Sequence, residues 1–236
     1  EHPKNVTHQL TRTHPFYGKV IYEKDITIPD NWNGKRMVLF MERTKPSTLW
    51  IDGDSIGSLG HIYAPHTYLL PELAGGRHHI KIRIDNSKDA VPKEIQGSHA
   101  WTDGTQTNWN GILGDFHIEA TPHTYIKDVQ AYPSVKERKT AVILHINSSS
   151  GQNGTIKIES SSCNSARTHT IPAIKEKVEL NEGENRIEMM LDMGEDMLTW
   201  SEFHPALYRL NASLSTKDGK DNQIIQFGMR NFATEG

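Results

Sequence analysis

Residues 49–57, Leu49-Trp50-Ile51-Asp52-Gly53-Asp54-Ser55-Ile56-Gly57, set an Asp-Gly pair between two short apolar runs. A two-residue loop of that composition is the strongest local signal for a β-hairpin, because its turn needs positive φ at both central positions. The pattern continues outward in both directions. Val20, Tyr22, Lys24, Ile26 and Ile28 alternate with Ile21, Glu23, Asp25 and Thr27 and stop at Pro29, as a half-buried strand does. Downstream, Ile80, Ile82 and Ile84 alternate with Lys81 and Arg83 after the Gly75-Gly76 turn, which predicts a strand with one wet face.

The second half of the chain reads the same way. Val142, Leu144 and Ile146; Ile156 and Ile158; Val178 and Leu180; Ile187 and Met189; and Tyr208, Leu210, Ala212 and Leu214 all follow period two. No stretch keeps a 3.6-residue apolar stripe for three turns. Short strands at roughly ten-residue spacing, separated by Gly, Pro, Asn and Asp, predict an all-β sandwich architecture. Pro122 closes one strand series and Ile126 to Ala131 opens another, so the expected domains are residues 1–122 and 123–236, the second with the size and strand density of an immunoglobulin-like fold.

Composition excludes several functions. The chain has 236 residues, 26 Lys and Arg, 29 Asp and Glu and a net charge of −3, and no basic stripe of the kind that neutralises phosphates, so nucleic acid is not the expected partner. Its longest apolar runs fall far short of the ~20 residues of a membrane-spanning helix. Cys163 is the single cysteine, which rules out an internal disulfide, and it is expected to pack as an inert thiol. The N-terminus lacks an initiator Met and a basic-then-apolar leader, which reads as a mature or excised piece. Sequons stand at Asn5, Asn147, Asn153 and Asn211; they mark surface positions in a secreted eukaryotic protein, and chance in an Asn- and Ser-rich chain explains them as well.

Against that background, residues 17–86, from Tyr17-Gly18-Lys19 to Ile84-Asp85-Asn86, resemble the sugar-binding jelly-roll domain that begins glycoside hydrolase family 2 enzymes, the β-galactosidase, β-glucuronidase and β-mannosidase group. The order agrees: a Gly-x-x-x-Tyr first strand, an Ile-Pro…Trp…Gly-Lys turn, a Trp-Ile-Asp-Gly hairpin, a Leu-x-x-Gly turn and an Ile-Arg-Ile-Asp-Asn strand. Asn108-Trp109-Asn110-Gly111-Ile112 resembles the family's W-x-x-G-I segment. In the second half, Leu198-Thr199-Trp200-Ser201 to Tyr208-Arg209-Leu210 is similar to its W-S-P-x-x-P-x-L-Y-x-L, and Phe227-Gly228-Met229-Arg230 to its closing F-G-F-R. The resemblance covers nearly the whole chain and implies a jelly roll followed by an immunoglobulin-like sandwich.

It also implies a missing part. In the family a (β/α)8 barrel follows the F-G-F-R strand and carries an acid/base and a nucleophilic glutamate, which retention needs ~5 Å apart. The sequence stops at Gly236, where the family's linker into the barrel starts, which suits excision better than a natural stop. Asn181-Glu182 copies the family's Asn-Glu pair, but it stands in a polar turn before an alternating strand and reads as structure. The chain thus holds no expected catalytic residue, and whether it acts as an enzyme rests with the parent, a β-galactosidase-like hydrolase of O-glycosyl bonds.

The resemblance places the loop before Gly111-Ile112 at the rim of the jelly roll, reaching the barrel's active site in β-galactosidase-like members. Asp103, Asn108 and Trp109 are therefore the candidates to contact sugar, with Trp101 as a second aromatic, since a carboxylate or amide pairs with hydroxyls and an indole covers the apolar face of a pyranose. His14 precedes the first strand where some β-galactosidase relatives place a sugar-contacting Asn. Each has a plainer reading: Trp109 as a plug between sheets, Asp103-Gly104 as a turn. Leu113-Gly114 departs from the family, which places an Arg there. Trp50 and Trp200 are read as core.

No cofactor is expected, and no metal: none of the 13 histidines shows a metalloprotease-like His-Glu-x-x-His spacing, and His78-His79, adjacent on a strand, point to opposite faces. The expected partners are a β-linked carbohydrate and the missing barrel of the same chain, with a homo-oligomer of the parent left open. The expected location is extracytoplasmic, in the periplasm or secreted by a bacterium. The alternative function is a free-standing carbohydrate-binding module without hydrolase activity.

Overall fold

The computed structural model describes residues 16–62, 64–98, 101 and 110–231. The chain divides into two compact units, Glu1–Ala120 and Thr121–Gly236. Each is a β-sandwich, as the alternating patterns require.

The first unit is built from β1 (Lys19–Ile28), β2 (Arg36–Arg43), β3 (Ser47–Ile51), β4 (Asp54–Leu59), β5 (His66–Leu69), β6 (Gly76–Asp85) and β7 (Leu113–Thr121). A four-stranded sheet in the order β1-β6-β3-β4 faces a three-stranded sheet β5-β2-β7, an antiparallel jelly roll. Every second residue of β6 from Ile80, that is Ile80, Ile82 and Ile84, is buried, and packs with Leu49 of the neighbouring β3 and with Leu39 and Met41 of β2 in the facing sheet. The β3–β4 hairpin turns where the sequence places it, with Asp52 at φ 53° and Gly53 at φ 91°. Asp52 tolerates this conformation because its carboxylate is used at once: Oδ1 accepts from the backbone N–H of His79 at 2.7 Å and Oδ2 lies 2.6 Å from His78 Nδ1. The Asp52 carboxylate in turn raises the pKa of His78.

The second unit contains β8 (Tyr125–Ser134), β9 (Lys139–Ser148), β10 (Gln152–Ser162), β11 (Thr170–Leu180), β12 (Gly183–Asp192), β13 (Tyr208–Thr216) and β14 (Gly219–Phe227). Sheets β12-β9-β8 and β11-β10-β13-β14 pack three on four, the immunoglobulin-like arrangement. Val142, Leu144 and Ile146 of β9 meet Leu210, Ala212 and Leu214 of β13 in its core. Tyr208, fully buried at the start of β13, accepts a hydrogen bond from the N–H of Leu198 at 2.8 Å, the tyrosine-corner device of this fold.

The end of this unit where β8 enters is tied by one carboxylate. Asp218 accepts hydrogen bonds from Thr124, from Gln152 Nε2 at 2.9 Å and from Ser149 Oγ at 2.7 Å. These donors, the Thr124 hydroxyl first, pull its pKa down to about 2. A depressed folded value means that its stabilisation is complete above the unfolded value near 4 and is lost as pH falls towards 2. Asp218→Asn is therefore expected to cost about 1–2 kcal/mol at pH 7, after allowance for solvent screening, and to flatten the acid limb of unfolding between pH 4 and 2. Circular dichroism of both proteins across that range decides it; identical acid limbs would refute the assignment.

Three sequence readings are corrected. Trp50 is not core: β3 turns it to the outer face of the first unit, where the Lys81 and Arg83 side chains lie against its ring. Trp200 is half-buried rather than enclosed, with the Arg230 guanidinium 4.6 Å from its ring centre. Cys163 is exposed, its thiol 3.5 Å from the Leu207 carbonyl, instead of packed away. Asn181-Glu182 is a turn as read, with the Asn181 N–H donating to Asn185 Oδ1 at 2.8 Å. Of the sequons, Asn147 and Asn211 are half-buried on the interior strands β9 and β13, Asn153 is exposed, and Asn5 lies outside the described residues. Among the described residues no helix is long and apolar enough to cross a membrane.

Candidate functional site

Asp103, Asn108, Trp109 and His14 lie outside the described residues. The structure describes the residues on either side of the first three in sequence. On the N-terminal side, Trp101 donates its backbone N–H to Ser98 O at 3.0 Å and accepts at its carbonyl from Gly97 at 3.3 Å, closing a tight turn. Its indole is only 9% exposed and packs with Ile62, Val91 and Ile95. Trp101 is thus an anchor in a small satellite core, and offers a sugar little of its face. Among the described residues its buried indole N–H has no hydrogen-bond partner, and the Tyr17 ring lies 6.3 Å away.

On the C-terminal side, Gly111 is held from two directions. Its N–H donates to Asn110 Oδ1 at 2.7 Å and its carbonyl accepts from Thr44 Oγ1 at 3.2 Å. Its φ of 93° suits glycine, and a Cβ there would stand 2.8 Å from the Tyr22 hydroxyl. The departure at Gly114 has a similar cause. Its φ is 75°, and the Glu42 carboxylate, which accepts from the Asp115 N–H at 2.8 Å, fills the space a side chain would need. An Arg here would meet that carboxylate at Cβ.

The same end of the first sandwich contains a buried polar cluster that the sequence reading missed. Thr44, Lys45, Ser47 and His66 are all less than 4% exposed. Ser47 Oγ lies 2.6 Å from His66 Nδ1, and His66 Nε2 lies 2.9 Å from the His61 carbonyl. The carbonyl can only accept, so Nε2 carries the proton and Nδ1 accepts from Ser47. The Tyr68 hydroxyl completes the group, 2.7 Å from Ser47 Oγ and 3.0 Å from the Ser47 carbonyl. Burial lowers the pKa of His66, pushes the Lys45 ammonium down to about 8 and raises Tyr68. A serine within hydrogen-bond reach of a histidine resembles half of a hydrolytic triad, yet both are enclosed and no substrate can reach Ser47 Oγ. The cluster joins β3 of one sheet to β5 of the other. The visible signal was the polar run Glu42-Arg43-Thr44-Lys45-Pro46-Ser47 directly after an apolar strand.

A slot of about 590 Å³ opens where β1 and β7, each at the edge of its sheet, leave the first sandwich unclosed; Tyr22, Ile26, Trp32 and Phe116 line it, and Glu23 is its one carboxylate. Retention needs two carboxylates ~5 Å apart, and this slot cannot supply them. Among the described residues no group of three or more His, Cys, Asp or Glu could hold a metal ion.

Residues 124–230 match the model of the family described as glycosyl hydrolases family 2. Among solved structures, the chain is similar to a Bacteroides uniformis β-glucuronidase, with 16% identity, TM-score 0.69, and 90% of this chain and 26% of that chain covered. It is similar to a β-galacturonidase of the same family from Eisenbergiella tayi bound to galacturonate, with 21% identity, TM-score 0.67, and 94% and 37% covered. A β-D-glucuronidase from Dictyoglomus thermophilum gives 20% identity, TM-score 0.66, and 94% and 38%. The chain therefore spans between about a quarter and two fifths of the length of these structures. No curated protein matches it.

Proposed function

We propose that this chain, which carries a domain of glycosyl hydrolases family 2, is the non-catalytic N-terminal part of an exo-glycosidase that cleaves a β-linked sugar with retention. The catalytic barrel belongs to further residues of the same polypeptide. One observation carries this reading: nine tenths or more of the chain follows structures that are themselves about two and a half to three and a half times as long. The residues between Trp101 and Gly111 supply Asp103, Asn108 and Trp109 to the sugar pocket. The resemblance of the segment before Gly111-Ile112 to that of β-galactosidase-like members favours a β-galactoside as substrate. A β-hexuronide is the second reading, favoured by the glucuronidases and galacturonidase that share the fold. An extracytoplasmic location belongs to the same proposal.

The test is kinetic. The full polypeptide is expected to hydrolyse an aryl β-galactoside or an aryl β-glucuronide with net retention, while the 236-residue chain alone hydrolyses neither. In the full polypeptide, Asp103→Asn and Trp109→Ala should each lower kcat/KM about tenfold or more without lowering Tm. Turnover by the short chain, or inversion by the long one, would overturn the reading. A natural polypeptide without a barrel would make the chain a free-standing carbohydrate-binding module instead.

A further inference from the structure

The outer face of the sheet β1-β6-β3-β4 carries a cluster that neither the fold nor the hydrolase reading uses. The register aligns Glu23 with Lys81 and Lys81 with Trp50, and in the next row Ile21 with Arg83 and Arg83 with Thr48. Side chains opposite one another in such rows stand close enough to form one surface. The Arg83 guanidinium carbon is 5.6 Å from the Trp50 ring centre and Lys81 Nζ is 5.8 Å from it. Beside them a cavity of about 370 Å³ is lined by Ile21, Trp50, Gly53, His79, Lys81 and Arg83. Ile21 leaves 53% of its surface open there.

The charges of this face are unequally paired. Asp25 is held by Arg77 and His79, and Asp52 by His78. Lys81 meets Glu23 at 3.3 Å, a half-exposed pair that solvent screens and that is readily exchanged. Arg83 donates to Thr48 Oγ1 at 3.0 Å and has no carboxylate in ion-pair range among the described residues. A guanidinium has five N–H donors in a planar fork that matches a carboxylate.

We propose that this face binds a glycan through a carboxylated sugar residue, with the carboxylate on Arg83 and Lys81 and the apolar side of the pyranose on Trp50 and Ile21. A neutral sugar would use the indole and leave the cations unserved, whereas a sulfate ester spreads its charge over three oxygens, each a weaker acceptor for the guanidinium fork than a carboxylate oxygen. The cavity falls in the range of small-molecule sites, and its mixture of one aromatic wall and a few fixed polar groups is what such sites share. The site lies wholly within the first unit, so it stands or falls independently of the hydrolase reading.

The experiment titrates the 236-residue chain with three oligosaccharides of equal length: a uronic-acid oligomer, its neutral galactose counterpart and a sulfated one. Calorimetry gives affinity, and the indole N–H resonance of Trp50 reports the place. The uronic-acid oligomer is expected to bind at least tenfold more tightly than either of the others and to shift the Trp50 resonance. Trp50→Ala and Arg83→Gln should each weaken it tenfold or more, with unchanged far-ultraviolet circular dichroism. Lys88→Gln, at an exposed position outside the cavity, should leave it unaltered. Equal binding of the neutral or sulfated oligomer, wild-type affinity in the folded Trp50 or Arg83 variants, or no binding of the uronic-acid oligomer at all would each overturn the proposal.

Discussion

Tyr208→Ala is expected to remove about 5 kcal/mol from the second unit, as much as the whole stability of many domains of this size. The side chain is fully buried, stacked on Phe227 at 5.5 Å and met edge-on by His169 at 5.7 Å. Removing a buried aromatic ring costs about 3–5 kcal/mol through lost burial and the cavity left behind. The hydroxyl adds to this. It accepts from the Leu198 N–H at 2.8 Å and lies 2.7 Å from His169 Nδ1, so its loss orphans groups in a region that water does not enter freely. Tyr208→Phe separates the two contributions: it keeps the stack and should cost about 1–3 kcal/mol. Urea unfolding followed by circular dichroism measures both. Amide exchange at Leu198 provides the local readout, and should quicken in the Phe variant even where global stability falls little. A Phe variant as unstable as the Ala variant would show that the hydroxyl, not the ring, carries the corner.

Tyr208 also shows what kind of information the sequence held. Its position was legible because a strand with buried residues at 208, 210, 212 and 214 repeats every second residue, and burial on one face is what period two encodes. The Asp52-Gly53 turn was legible for an equally local reason, since two successive positive φ angles restrict the residues that can stand there. Trp50 was misread because alternation gives parity, not direction. Placing Trp50 outward needs the register that pairs Leu49 with Ile82 and Trp50 with Lys81, partners far apart along the chain. The family resemblance was legible as an order of short motifs and is matched over residues 124–230. The buried Thr44, Lys45, Ser47 and His66 were hard to read for the opposite reason: the run from Glu42 to Ser47 looks like solvated chain after a strand, and only tertiary contact with His66 of β5 turns it into a buried cluster.

That cluster yields the second large effect. His66→Ala is expected to cost the first unit about 3 kcal/mol at pH 7.5, because His66 is fully enclosed and both ring nitrogens are engaged, by Ser47 Oγ at 2.6 Å and the His61 carbonyl at 2.9 Å. The pH dependence identifies the mechanism. Burial lowers the pKa of His66 below its ordinary 6.5, so the unfolded chain takes up a proton near pH 6.5 that the folded one refuses. The stabilisation by His66 is therefore whole above pH 6.5 and declines as pH falls below it. His78 runs the other way: the Asp52 carboxylate raises its pKa, so its contribution is present below pH 6.5 and fades as pH rises through the raised value. In urea titrations at pH 7.5, 6.5 and 5.5, the gap between wild type and His66→Ala should narrow with acid, while the gap for His78→Gln should widen. A His66 gap that stays constant over that range would mean that the folded ring titrates as the unfolded one does, and a gap that widens with acid would mean that the folded ring is protonated; either outcome would refute an enclosed neutral His66 that accepts from Ser47.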